Sequence, residues 1–226
     1  MHRYDVITFD CYGTLIDWIG GITTAIEAAA CSAGLVIERT AIFPAYLRAE
    51  AQVEQLSYRP YREVLAECAR RVAAELGWTL PAAQSGLLAE SVPQWRPFPD
   101  TNPALERLHT AGYRLGIISN VDDDLLAATR RHFRTDFAFL VTAQRVGSYK
   151  PAHAHFLEAR RRIAAGGAGT RWLHAAQSYY HDVVPACALG IPVAWVNRHH
   201  EALAPGAAHP LHEVPDLAHL AAWLAP

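Results

Sequence analysis

The stretch Tyr4-Asp5-Val6-Ile7-Thr8-Phe9-Asp10-Cys11-Tyr12-Gly13-Thr14-Leu15 constrains this chain more than any other part of it. Strand-favouring, largely apolar residues run straight into an aspartate. A glycine-containing turn follows, and the sequence then takes on a helical apolar period. In open α/β sheets ligands sit outside the carboxyl ends of the strands, and Asp10 falls at such an end. Aspartate is also an ordinary turn former, so this stretch alone leaves both roles open.

The rest of the chain shows two kinds of pattern. From about Trp18 to Trp95 it reads as almost purely helical, with helices expected from Ile22 to Ala33, Phe43 to Leu56, Tyr61 to Leu76 and Pro81 to Val92. The pair Gly20-Gly21 looks like a hinge. Beyond Arg96-Pro97-Phe98-Pro99-Asp100, where two prolines stiffen the chain, strands and helices alternate. Strands are expected from Tyr113 to Ser119, Phe137 to Val141, Arg171 to Ala176 and Pro192 to Val196, and a terminal helix from Leu217 to Leu224. The change of pattern predicts an α/β core of residues 1–17 and 96–226 carrying an inserted helical cap of residues 18–95.

Composition excludes several classes. Of 226 residues, 51% are hydrophobic and 19% charged, as in ordinary globular proteins. A net charge of −2 offers no footprint for nucleic acid or an anionic membrane. No apolar stretch approaches the length of a membrane span. Cys11, Cys31, Cys68 and Cys187 form no CxxC pair, so neither zinc nor a disulfide framework is indicated. The twelve histidines do not make a metal site either. His153 and His155 are two apart on an expected helix and diverge, and His199-His200 lies in a loop. A soluble cytoplasmic protein is expected.

Three later stretches complete a set with the first. Ile117-Ile118-Ser119-Asn120 ends an apolar strand with a hydroxyl and an amide. Tyr149-Lys150-Pro151 opens a helix with a lysine, and His181-Asp182 follows the strand that leads to Gln177. In this order the four stretches resemble the motifs of the haloacid dehalogenase superfamily, and Asp-x-Tyr-Gly-Thr resembles its L-2-haloacid dehalogenases in particular. The resemblance spans nearly the whole chain. It implies a Rossmann-like parallel sheet core flanked by helices, with an all-helical cap.

The resemblance also implies roles. Asp10 is the nucleophile; a carboxylate attacks carbon or phosphorus only if it is ionised, oriented and kept from solvent. Lys150 supplies the cation that keeps it ionised. Thr14 donates a hydroxyl, and Asp182 stands near the hydrolytic water. Cys11, Tyr12, Ser119 and Asn120 line the substrate, with Ser119 and Asn120 cradling its carboxylate. Arg48, on a cap helix, meets the anionic substrate through its planar guanidinium; Arg39, Arg59 and Arg62 are the alternatives.

Within the superfamily the phosphatases carry a second aspartate two residues after the nucleophile, which protonates a departing alkoxide. Tyr12 stands there instead. A halide leaves unaided, so this substitution harms phosphate-ester cleavage and spares carbon–halogen displacement. Gln177 likewise replaces a carboxylate of the phosphatase magnesium site. The dehalogenase pattern has its own gaps, among them Phe156 where a tyrosine is expected. The expected function is therefore hydrolysis of a small 2-haloalkanoic acid without a cofactor, with a homodimer left open as the assembly. A magnesium-dependent phosphatase holding the metal on Asp10 and Asp182, or a binding protein that has lost turnover, are the alternatives.

Overall fold

The computed structural model describes residues 3–54, 57–167 and 169–226. Contacts divide the chain into two compact units. One holds the chain up to Ile16, Pro97–Asn120 and Arg131–Pro226; the other holds Asp17–Arg96 with Val121–Arg130.

In the first unit the strand β1 (Val6–Phe9) is fully buried, as its continuous apolar run requires. The second unit then contributes α1 (Trp18–Ser32), α2 (Arg39–Glu54), α3 (Tyr61–Glu75) and the short α4 (Leu87–Ser91). The chain continues with α5 (Thr101–Thr110), β2 (Arg114–Ser119), α6 (Asp123–Thr129), β3 (Phe139–Thr142), α7 (Ala143–Val146) and α8 (Ala154–Ala164). It ends with β4 (Trp172–Ala176), α9 (Val184–Ala188), β5 (Val193–Val196), β6 (His212–Val214) and α10 (Leu217–Leu224).

The six strands form one parallel sheet in the order β3-β2-β1-β4-β5-β6. Chain order reverses at β1, between β2 and β4, which makes the carboxyl end of β1 the switch point where such sheets bind ligands. Side chains alternate across the sheet. Val6, Ile118 and Trp172 share a core with Phe156, Ala159 and Ile163 of α8. Residues of the other parity, Ile7, Leu115 and Leu173, are equally buried. After β1 the turn is closed by Gly13 at φ 95°, a conformation that would strain any residue with a Cβ.

The helical unit corrects three expectations. Gly20-Gly21, expected outside the helix, lies in the first turn of α1, capped by Asp17, whose carboxylate accepts from Gly20 N at 2.9 Å. Gly21 is needed for closeness: a Cβ there would lie 2.4 Å from the Trp95 indole. The expected helix from Pro81 to Val92 is broken into two 3₁₀ turns around α4. Helix α2 starts four residues before Phe43 and runs through Pro44; its expected end at Leu56 lies outside the described residues.

Residues 121–130 join this unit because Asp122 caps α3. Its buried carboxylate accepts from Tyr61 N at 2.8 Å and Arg62 N at 3.0 Å, filling two of the bare N–H groups at that helix start. The strand β6 is not foreshadowed in the sequence; three residues give too short a pattern to read. Among the described residues no helix is long and apolar enough to cross a membrane.

Candidate active site

The loops that leave β1, β2 and β4, with the segment between α7 and α8, place Asp10, Thr14, Asn120, Lys150 and Asp182 together within the sheet-bearing unit. Asp10 follows β1 directly, and its amide donates to Ala175 O at 3.1 Å, which extends the sheet by one residue. Its two oxygens are both engaged. Lys150 Nζ donates to Oδ1 at 2.9 Å, and the Thr14 hydroxyl donates to Oδ2 at 2.9 Å. Thr14 is itself fixed, since its hydroxyl oxygen accepts from Gln177 N at 2.9 Å.

Lys150 is 2% exposed, so it is not a solvated helix-start lysine. It lies in the loop ahead of α8, which begins at Ala154 rather than beside Pro151. Its ammonium spends all three protons: on Asp10 Oδ1, on Asp182 Oδ1 at 2.6 Å and on Ile118 O at 3.2 Å. Burial works to neutralise such a lysine, but the two carboxylates outweigh it and hold its pKa above the ordinary value. One lysine thus bridges two buried aspartates. Burial raises the pKa of Asp10, and the charge of Asp182 adds to this against Lys150 and Thr14. Burial also opposes ionisation of Asp182, yet Lys150 and a hydrogen bond from His174 pull it down to about 2.

Asn120, expected beside the substrate carboxylate, closes its amide on the main chain of Lys150. Its Oδ1 accepts from Lys150 N at 2.7 Å and its Nδ2 donates to Lys150 O at 3.0 Å. The amide holds the lysine's main chain instead of facing a ligand. Ser119 is buried with its hydroxyl unpartnered, and so is the second oxygen of Asp182, Oδ2. Buried polar atoms are nearly always paired; His155 Nδ1 and Arg198 Nε are unpartnered in the same way. Cys11 is fully buried; burial, with the Asp10 charge adding, pushes its thiol up, and its carbonyl receives Leu15 N and Ile16 N to make the turn. Tyr12, half-buried, bridges to Ile16.

Arg48 lies on α2 and pairs with Glu75 of α3, both side chains about half exposed, an arrangement worth little. Its part in substrate binding rests on the sequence resemblance alone. Arg39 pairs with Glu27, and Arg62 with Asp124.

Sequence reasoning misses two buried histidines. His155 Nε2 lies 3.3 Å from Ser119 O, and burial, aided by the charge of Lys150, lowers its pKa to about 3. His174 Nε2 lies 2.9 Å from Asp182 Oδ1. A readable signal exists for the second: a histidine inside the apolar strand Trp172-Leu173-His174-Ala175 must be buried.

The carboxylates that a divalent cation would meet here are those of Asp10 and Asp182. Among the described residues no three His, Cys, Asp or Glu side chains converge. Of the four carboxylate oxygens of Asp10 and Asp182, only Asp182 Oδ2 is without a partner. What the arrangement does offer is a buried, lysine-compensated carboxylate at the end of β1 with a second carboxylate beside it.

The chain is similar to several known proteins. An (S)-2-haloacid dehalogenase of Pseudomonas putida is 28% identical over 99% of this chain and 98% of its own length. A glyceraldehyde 3-phosphate phosphatase of Methanothermobacter thermautotrophicus is 35% identical, over 45% of each chain. The L-2-haloacid dehalogenase structure from Xanthobacter autotrophicus superposes with a TM-score of 0.82 at 20% identity, covering 97% of this chain and 98% of that one. The family model for haloacid dehalogenase-like hydrolases matches residues 4–174, from the start of the β1 segment into β4. With Asp10, Lys150 and Asp182 gathered at the switch point of a parallel sheet, the chain belongs to the haloacid dehalogenase-like hydrolases.

Proposed function

We propose that this hydrolase displaces halide from a small 2-haloalkanoic acid and releases the 2-hydroxy acid through an ester on Asp10, without a metal. One observation carries the reading. A buried lysine bridges the strand-end aspartate and a second aspartate, while the residue two beyond the nucleophile is Tyr12 rather than an acid.

In the first step an Asp10 oxygen forms a bond to the carbon bearing the halogen. The carbon–halogen bond breaks, and halide departs with the bonding pair. No proton is needed, which suits a site with no acid at position 12. In the second step water adds to the Asp10 carboxyl carbon, and the bond from that carbon to the ester oxygen breaks. One proton of the water ends on the departing alkoxide, and the other is released to solvent. Lys150 steadies the negative charge on the Asp10 oxygens throughout. Asp182, held through Oδ1 by Lys150 and His174, aims the water through Oδ2. The four cysteines are free, as a reducing cytoplasm keeps them.

A phosphatase is the second reading, favoured by the partial relative from Methanothermobacter thermautotrophicus. Tyr12 and Gln177 weigh against it, each standing where a phosphatase has a carboxylate. Halide and phosphate release, measured side by side with and without EDTA, separates the two. The dehalogenase reading predicts halide release that survives the chelator. Phosphate release that requires added magnesium would replace it with the phosphatase.

A further inference from the structure

Asp182 is held from behind by a residue outside the four motifs. Lys150 reaches it only through Oδ1, and an ammonium is a point charge that does not fix the plane of a carboxylate. A second donor to the same oxygen comes from His174 Nε2 at 2.9 Å. With both on Oδ1, the other oxygen stays bare although it is buried.

The His174 ring is itself locked. It sits on β4 directly opposite Thr8 of β1, on the same face of the sheet, with Nδ1 2.9 Å from the Thr8 hydroxyl. Trp172, two residues earlier on β4, donates its indole N–H to that hydroxyl oxygen at 2.7 Å. An indole is donor only, whereas a hydroxyl both gives and accepts. With the indole on one of its lone pairs, Thr8 has its own proton to give to Nδ1. Because an ionised carboxylate oxygen only accepts, it is Nε2 that donates to Asp182. Phe156 of α8 stands edge-on to the imidazole, with ring centres 5.3 Å apart. His174 is completely buried, so no water can substitute for it.

We propose that His174 is a positioning residue for the ester-cleaving step: by holding Asp182 through Oδ1 it keeps Oδ2 aimed at the water that attacks the Asp10 ester. This rests on the dehalogenase reading of the same site. Displacement of halide does not use Oδ2, so losing His174 separates the two halves of the reaction. Without it, Asp182 is free to turn and give both oxygens to Lys150. A base or water-holder oriented by a third group is a recurring arrangement in covalent catalysis.

The test is single-turnover kinetics with L-2-chloropropionate, following the halide burst by rapid quench and the Asp10 adduct by mass spectrometry. His174→Phe keeps the ring and its packing but removes the donor. Its halide burst should stay within about threefold of wild type. Breakdown of the adduct should slow by about ten- to a hundred-fold, the range for a lost hydrogen bond to a charged group. His174→Gln, which returns an N–H near the same place, should recover most of the rate. Thr8→Val leaves the histidine present but loosens its ring, and should lengthen the adduct's lifetime by a smaller factor. Should His174→Phe not fold, the other two variants carry the comparison. Equal loss of both half-reactions, or no difference between His174→Phe and His174→Gln, would overturn the proposal while leaving the dehalogenase reading intact. A wild-type protein that forms neither halide nor adduct would overturn both.

Discussion

Asn120 closes on the main chain of Lys150 from both sides, accepting from its N–H at 2.7 Å and donating to its carbonyl at 3.0 Å. The amide follows β2 directly, so the strand end of one motif sets the place of the lysine from another. Removing it should act through Lys150. Asn120→Ala is expected to cost about 1–3 kcal/mol of stability, from polar groups left unpaired. It should lower kcat more than it raises KM. Chemical denaturation beside steady-state kinetics checks this. A rise in KM alone, at unchanged stability, would mean that the amide faces substrate after all.

Lys150→Met should end turnover and destabilise the fold by about 3–5 kcal/mol, because it leaves two buried carboxylates without their cation. The pH dependence has a definite sign. With no ammonium between them, one of the two aspartates takes up a proton, and its folded pKa rises above the unfolded one. The folded variant then binds more protons than the unfolded chain, so its stability increases as pH falls from 7 toward 5. Urea denaturation at several pH values reads the slope. A variant that loses stability on acidification in parallel with the wild type would contradict the bridging role.

His155 gives a second pH signature, of opposite sign. Its folded pKa lies at about 3 against an ordinary value of 6.5. As pH falls below 6.5 the unfolded chain takes the proton and the folded chain does not, so stability is lost toward acid. Each pH unit in this window costs about 1.4 kcal/mol, or roughly 1.5–2 kcal/mol between pH 6.5 and 5. His155→Gln keeps a donor for Ser119 O and does not titrate. Its stability should decline less than that of the wild type over this interval. Parallel curves for the two proteins would remove His155 from the account.

Much of this is legible in the sequence because the strands are buried on both faces. Continuous apolar runs announce β1, β2 and β4. Polar residues close the first two runs, Asp10 directly after β1 and Ser119 at the end of β2, and Asp182 follows β4 after a short turn. The residues behind the site are less visible. Asn120 has the chemistry of a ligand for substrate, and only the fold reveals that its amide is spent on Lys150. His174 escapes notice because spacing along a chain does not say which strands are neighbours. Its partners Thr8 and Asp182 meet it only once β1 and β4 pair. Gly20-Gly21 misleads for a related reason, since glycine serves close packing as often as bending, and Trp95 lies 74 residues beyond Gly21 in the chain.

The central claim is that the Asp10 carboxylate becomes an ester and that water attacks its carboxyl carbon. A single turnover of a 2-haloacid in water labelled with heavy oxygen, followed by mass spectrometry of the peptide around Asp10 and of the product, tests this directly. The account predicts the label in the Asp10 side chain and ordinary oxygen in the hydroxy acid. Label in the hydroxy acid, with Asp10 unlabelled, would mean that water attacks the substrate carbon and that Asp10 is not the nucleophile.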